Sequence, residues 1–518
     1  MWFALISVIV IGLLLYKLLG PSNTSNYWAQ YGIRQLDGSP AASQKEILTG
    51  VKDVTHRDTY AYQQLGENEQ FCGMIESHLK VIFIKDLELA KKILIKDFDH
   101  FVDRRNFFVV SKNSVLNKLL SSLTGQEWKN TRAAVSPAFT TGKIRRYMES
   151  FNSIGKDWVN MIKEKADNDS KTAKVNVLPT VSQFTTDVIA QGVFGFDAGT
   201  VRNPNSSFAR MANRLGNMNQ WKVSLSLHFP KFFQFFGIDI IDMEAFRFFQ
   251  TIVSQGLQAR LGGDTEKRND FLQMMVEVKK GELKADGNDE LSSFEKDAEI
   301  KNENKQFVLT DDIINAQSVT FFFAGFSTTG NFLAFALYSL AAYPDIQEKL
   351  REEVRKIVKK DGTFNYDDVS QLVYLDMVCC EVLRKFPAGL RVERMCTKDY
   401  KEPESGMFVP KGSLVVIPIK SIHNDKRYYE KPDEFYPEHF SPENKAKRNP
   451  YAYLAFGQGP RNCIGMRLAL VQSKAAIAHV LHNFRIEPSE TTKIPMEGKI
   501  GSLQYLPPDD LELKFTVL

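Results

Sequence analysis

The chain opens on an apolar run. Trp2 to Tyr16 carries no charge, and apolar character resumes after Lys17 as far as Leu19. That span is close to the roughly 20 residues that cross a bilayer. No lysine or arginine precedes the run, and no small-x-small site closes it, so residues 1–20 read as an uncleaved membrane anchor in preference to a signal peptide. The positive-inside rule then leaves the body of the protein cytoplasmic. A polar hinge follows at 21–27, and Trp28 begins the globular part. Lys80 to Ile84 is β-like, whereas residues 86–280 are spaced mostly as helices. The phenylalanine-rich stretch 228–253 fits a core helix pair or a surface dipping into the membrane. Residues 281–306 are polar and charged, which predicts a solvated loop.

Thr310, followed by Asp311 and Asp312, is a helix start: a capping hydroxyl with acids in the first turn. The helix is expected to run to Ala342 and stop before Pro344, a length of about 48 Å. It is apolar on most faces, which places it across the middle of the core. Further helices are expected over 345–360, 369–386 and 464–483, with β alternation between 388 and 420. No internal repeat appears. Residues 28–518 therefore read as a single domain, mostly α with small β-sheets (α+β).

Composition narrows the function. Lys+Arg number 66 and Asp+Glu 62, a formal charge of only +4, which argues against nucleic acid as a partner. The 38 phenylalanines suit a large apolar interior. The cysteines number five, an odd count without a Cys-x-x-Cys pair, so neither a disulfide framework nor a zinc cluster is indicated. A bound metal would rest on one cysteine.

The segment Phe456-Gly457-Gln458-Gly459-Pro460-Arg461-Asn462-Cys463-Ile464-Gly465 supplies that cysteine. Two glycines and a proline make a rigid turn, and Cys463 follows at the mouth of a helix, where backbone N–H groups favour a thiolate. Gly465 leaves room for a flat ligand against the backbone. Arg461 offers a fixed positive fork to an acidic group.

This segment resembles the cysteine loop of the cytochrome P-450 superfamily, the haem-thiolate monooxygenases, which reads Phe-x-x-Gly-x-Arg-x-Cys-x-Gly. Phe456, Gly459, Arg461, Cys463 and Gly465 meet all of its fixed positions. Three further marks stand in the family's order. Glu381 and Arg384, with spacing i, i+3, are similar to the buried pair that locks the cysteine loop, and the usual third partner, an arginine, is replaced by His439. Trp128 and Arg132, at i, i+4, together with Arg394, are similar to the residues that hold haem propionates. Ala324, Gly325, Ser327 and Thr328 resemble the oxygen-side motif, with Ser327 where the family carries an acid.

The resemblance implies a cytochrome P-450 fold with a long central helix over a haem b, Cys463 as the iron ligand, and Thr328 and Ser327 in proton delivery. It implies insertion of one oxygen atom from O2 into a lipophilic small molecule. Electrons would come from a separate NADPH–cytochrome P-450 reductase, with cytochrome b5 as a further donor, at the endoplasmic reticulum membrane. Phe107, Phe323, Phe326 and residues 390–392 are candidate substrate contacts. The segment Cys396 to Tyr400 and the aromatic stretch 228–253 look like those of insect microsomal members that clear xenobiotics. Ser327 keeps a rival open: a haem-thiolate isomerase or lyase that rearranges oxidised lipids without O2 or a reductase. A non-catalytic haem sensor is a second rival.

Overall fold

A computed structural model describes residues 26–36, 54–76, 79–106, 114–217, 229–263, 268–282, 307–496 and 504–518, with a few single positions between them. The expected anchor 1–20, most of the hinge, most of the polar stretch 281–306, and Phe107 lie outside the described residues.

In chain order the elements used below are α1 (Val54–Gln64), β1 (Phe71–Glu76), β2 (Leu79–Ile84), α2 (Gly125–Val135), α3 (Met148–Lys163), β3 (Thr172–Asn176) and α4 (Val177–Phe194). Then come α5 (Ser207–Gly216), α6 (Pro230–Phe236), α7 (Met243–Gly262), α8 (Phe271–Lys280), α9 (Asp311–Ala342), α10 (Pro344–Arg355) and α11 (Val373–Lys385). The chain closes with β4 (Val392–Met395), β5 (Tyr400–Lys401), β6 (Phe408–Val409), β7 (Leu414–Ile417), α12 (Met466–Asn483), β8 (Phe484–Pro488) and β9 (Glu512–Val517).

Most of the helices and the smaller sheet enclose one apolar core, and the larger sheet with α1 encloses a second. The larger sheet has the order β1-β2-β7-β4, with β2 parallel to β7 and the outer pairs antiparallel. Its register sets Arg394 opposite Val415 and Val392 opposite Ile417. The smaller sheet, β3-β9-β8, is antiparallel, and β5 pairs with β6.

α9 organises the helical core. Thr310 caps it, its hydroxyl accepting from Ile313 N–H at 3.3 Å, and it runs 32 residues before Pro344 opens α10. By length and composition it could cross a bilayer, but most of it is buried inside the protein, packed chiefly on α4.

Three expectations change. The single helix expected over 369–386 is a turn at Tyr366–Ser370 followed by α11. The Glu353 carboxylate of α10 accepts from the N–H groups of Tyr374 and Leu375, each at 3.0 Å, and so starts a fresh helix there. The last helix begins at Met466 and not at Ile464, because Ile464 and Gly465 still belong to the turn. The mostly helical stretch 86–280 contains a strand, β3, which pairs with the far carboxyl-terminal β9.

Candidate active site

The cysteine loop is built from backbone outward. Gly457 and Gly459 both sit at positive φ, 71° and 70°. A Cβ on Gly459 would lie 2.0 Å from the Leu94 carbonyl oxygen, so only glycine fits. The turn closes when Cys463 N–H donates to the Phe456 carbonyl at 2.8 Å. Cys463 is accessible although the surrounding loop is interior, because it opens on a cavity of about 710 Å³. Burial raises its thiol pKa, while the Gly465 N–H and the guanidiniums of Arg132 and Arg104 pull it back towards thiolate. Gly465 and Phe456 also line the cavity, and beside Gly465 an added Cβ would find only the Phe139 ring, at 4.0 Å.

Behind the loop, Glu381, Arg384 and His439 meet as a buried set. Arg384 grips the Glu381 carboxylate with Nε at 2.8 Å and Nη2 at 2.7 Å, and donates further to the carbonyls of His423, Pro432 and Glu434. His439 Nδ1 stands 3.2 Å from Glu381 Oε2, and its Nε2 accepts from the Lys431 N–H at 3.4 Å. In that arrangement Nδ1 faces the carboxylate and Nε2 faces a backbone donor. Sequence reasoning missed His423. Its Nδ1 meets the Arg384 carbonyl at 3.2 Å and its Nε2 accepts from Leu454 N–H at 2.9 Å, which ties α11 to the start of the cysteine loop. Burial pushes its pKa down to about 3, so it works as a neutral strut.

Five arginines line the cavity: Arg391, which is paired with carboxylates, and Arg104, Arg132, Arg394 and Arg461. Arg132 donates to Asn462 Oδ1 at 2.8 Å, and burial pushes its pKa down to about 10. Arg394 is 1% exposed; Nη1 donates to the Glu393 carbonyl, while Nε and Nη2 have no partner. Burial, then the neighbouring Arg104 and Arg461, hold it well below the usual arginine range. Arg461 differs from expectation. Its fork donates to the backbone carbonyls of Val102, Leu120 and Leu123, and it lies 3.9 Å over the Trp128 ring. It braces the loop as well as contributing charge, which burial makes costly enough to push its pKa down to about 8. Arg104, the second site residue that sequence reasoning missed, donates to the Arg461 carbonyl.

Unpaired buried cations are costly. Among the described lining residues the one carboxylate is Glu393, and it is already paired with Arg105 and Arg391. The cluster therefore calls for an anionic occupant. A haem meets the requirement: two carboxylates for the guanidiniums and Trp128, and iron for the Cys463 thiolate.

Across the cavity, α9 contributes Phe323, Ala324, Ser327, Thr328 and Thr329. The Thr328 hydroxyl donates to the Ala324 carbonyl at 2.7 Å. Gly325 serves close packing as well: a Cβ there would meet Ile189 of α4 at 2.7 Å. Phe326 is not among the lining residues. It is buried against Phe322, with ring centroids 5.2 Å apart, and faces Gly216.

Comparison with known proteins places this geometry. The family model described as Cytochrome P450 matches residues 61–515. Cytochrome P450 3A2 of Rattus norvegicus is 35% identical over 478 residues, covering 90% of this chain and 89% of the relative. Cytochrome P450 3A41 of Mus musculus is 33% identical over 465 residues, covering 88% of this chain and 86% of the relative. The chain belongs to the cytochrome P450 family: it is a haem-thiolate monooxygenase that draws its electrons from a reductase.

Proposed function

We propose that this monooxygenase oxidises lipophilic small molecules, either xenobiotics such as insecticides and plant toxins or endogenous lipids and hormones. The observation that carries this is one cavity with a thiol and four guanidiniums on one side and the apolar Phe323 and Ala324 of α9 on the other. Bound haem supplies the oxygen-activating redox chemistry. The protein residues do the rest. Cys463 ligates, and Arg104, Arg132 and Arg394 with Trp128 hold the carboxylates. Phe323 and Ala324 exclude water and shape the space above. The Thr328 hydroxyl, released from the Ala324 carbonyl, donates a hydrogen bond into that space, and Ser327 orients a water beside it.

The assignment to insect-type xenobiotic clearance rests on the segment Cys396 to Tyr400 and the aromatic stretch 228–253. On α6, Phe232, Phe235 and Phe236 are 44%, 84% and 60% exposed, an apolar patch suited to a lipid surface. This supports residence at the endoplasmic reticulum membrane, alongside an NADPH–cytochrome P-450 reductase and cytochrome b5. The test is reconstitution with that reductase in phospholipid and a panel of insecticides, plant toxins, fatty acids and steroids. NADPH- and O2-dependent product supports the reading. Product formed from lipid peroxides without NADPH would instead favour the isomerase or lyase alternative.

A further inference from the structure

The cavity lining carries two charge designs. Arg104, Arg132, Arg394 and Arg461 line the cavity, and among the described residues none of the four forms an ion pair with a protein carboxylate. Around two other lining residues, Arg391 and Glu393, the charges are balanced. Three carboxylates (Asp58, Glu76, Glu393) and three guanidiniums (Arg57, Arg105, Arg391) close into one buried network there.

The network joins segments far apart in sequence. Arg391 of the strand edge takes Asp58 of α1 with both arms of its fork, Nε at 2.8 Å and Nη2 closer. Its Nη1 reaches Glu76 of β1 at 2.9 Å and Glu393 of β4 at 3.3 Å. Arg105 grips Glu393 with Nε at 3.0 Å and Nη2 at 2.6 Å, and reaches Glu76 at 3.1 Å. Arg57 completes the count, 2.8 Å from Glu76. None of the six side chains is more than 13% exposed. Burial would raise Glu76, but Arg57, Arg391 and Arg105 overcome it and hold the carboxyl well below its ordinary range. Burial would lower Arg391, and Asp58, Glu76 and Glu393 hold it charged.

We propose that this balanced network sets the charge selectivity of the substrate cavity: its Arg391–Glu393 wall accepts uncharged polar groups and rejects both carboxylates and cations. The inference rests on reading the cavity as the substrate pocket. A ligand ion brought there loses its hydration, and a network of zero net charge returns no Coulomb energy for it. A neutral hydroxyl or carbonyl loses far less and can still bond to an edge of Arg391 or Glu393. Removing one member changes the balance by one unit. At about 10 Å and an effective dielectric near 20, a unit charge alters the affinity of an ionic ligand on the order of ten-fold.

The test is calorimetric binding of decanol, decanoate and decyltrimethylammonium, each below its micelle concentration, to the haem-loaded full chain. These share one alkyl length, and the quaternary ammonium cannot coordinate iron. The native protein should bind decanol at least ten-fold more tightly than either ion. Glu393→Gln, a change of +1, should tighten decanoate about ten-fold and weaken the ammonium. Arg391→Gln should do the reverse. Asp58→Asn adds the same +1 from a residue outside the cavity lining, and carries the test if Glu393→Gln fails to fold. The pair Arg105→Gln with Glu393→Gln restores balance and should restore native selectivity. Equal binding of all three ligands by the native protein overturns the proposal, as does a variant response that ignores ligand charge. Failure of decanol to bind at all overturns the pocket reading together with it.

Discussion

Arg394 offers a perturbation with opposite signs in two states of the protein. Its guanidinium is 1% exposed, and two of its three nitrogens lack a partner. In the haem-free protein that is a buried cation without a counter-charge, a costly state. With haem bound, those nitrogens meet a carboxylate, and hydrogen bonds of that kind contribute about 1.5–3 kcal/mol. Arg394→Met keeps the length of the side chain and removes the charge. Haem affinity should fall by roughly 10- to 150-fold, the same energy expressed as a ratio. The apoprotein should be more stable than native, by about 1–3 kcal/mol. Haem transfer to excess apomyoglobin, followed by absorbance, measures the first effect, and urea unfolding of the apoprotein measures the second. If the variant keeps its haem as tightly as native, or its apoprotein is the less stable, then Arg394 is not awaiting an anionic partner.

Three other outcomes are expected. Glu381→Gln leaves Arg384 buried without its anion and should destabilise by about 3–5 kcal/mol, read as loss of correctly loaded holoprotein on expression. Thr328→Val should raise NADPH consumed per product, and Ser327→Asp should lower it; an unchanged ratio in both removes these residues from proton delivery. His423 has a folded pKa of about 3, against about 6.5 when unfolded. Between those values only the unfolded chain binds the proton, so this residue's contribution is full above pH 6.5 and is lost as pH falls, at about 1.4 kcal/mol per unit. Denaturant unfolding of His423→Asn across pH 4–7 should show a slope shallower by about that amount.

What could be read from the sequence was local chemistry. α9 announced itself through Thr310, two acids and Pro344, all within a turn of its ends. The cysteine loop was legible because its glycines, Arg461 and Cys463 act within ten residues of one another. What escaped depends on partners distant in sequence. β3 exists because β9 pairs with it from residues 512–517. α11 starts where Glu353 of another helix caps it. Arg104 and His423 belong to no short pattern, and only the fold brings them to the cavity and the loop. Phe326 was misplaced for a different reason. α9 is apolar on nearly every face, so periodicity cannot tell the side that meets the cavity, where Phe323 stands, from the side packed on Phe322. Arg461 shows that one fork can serve either carbonyls or a carboxylate, and the residue type alone does not choose between them.

The central claim is that Cys463, as a thiolate, holds the haem iron. The absorption spectrum of the reduced, carbon-monoxide-bound protein tests it most directly. The native chain should give the strongly red-shifted Soret band of thiolate ligation, and Cys463→Ala should lose it. A native spectrum without that band, or a Cys463→Ala variant that keeps it, would contradict the assignment.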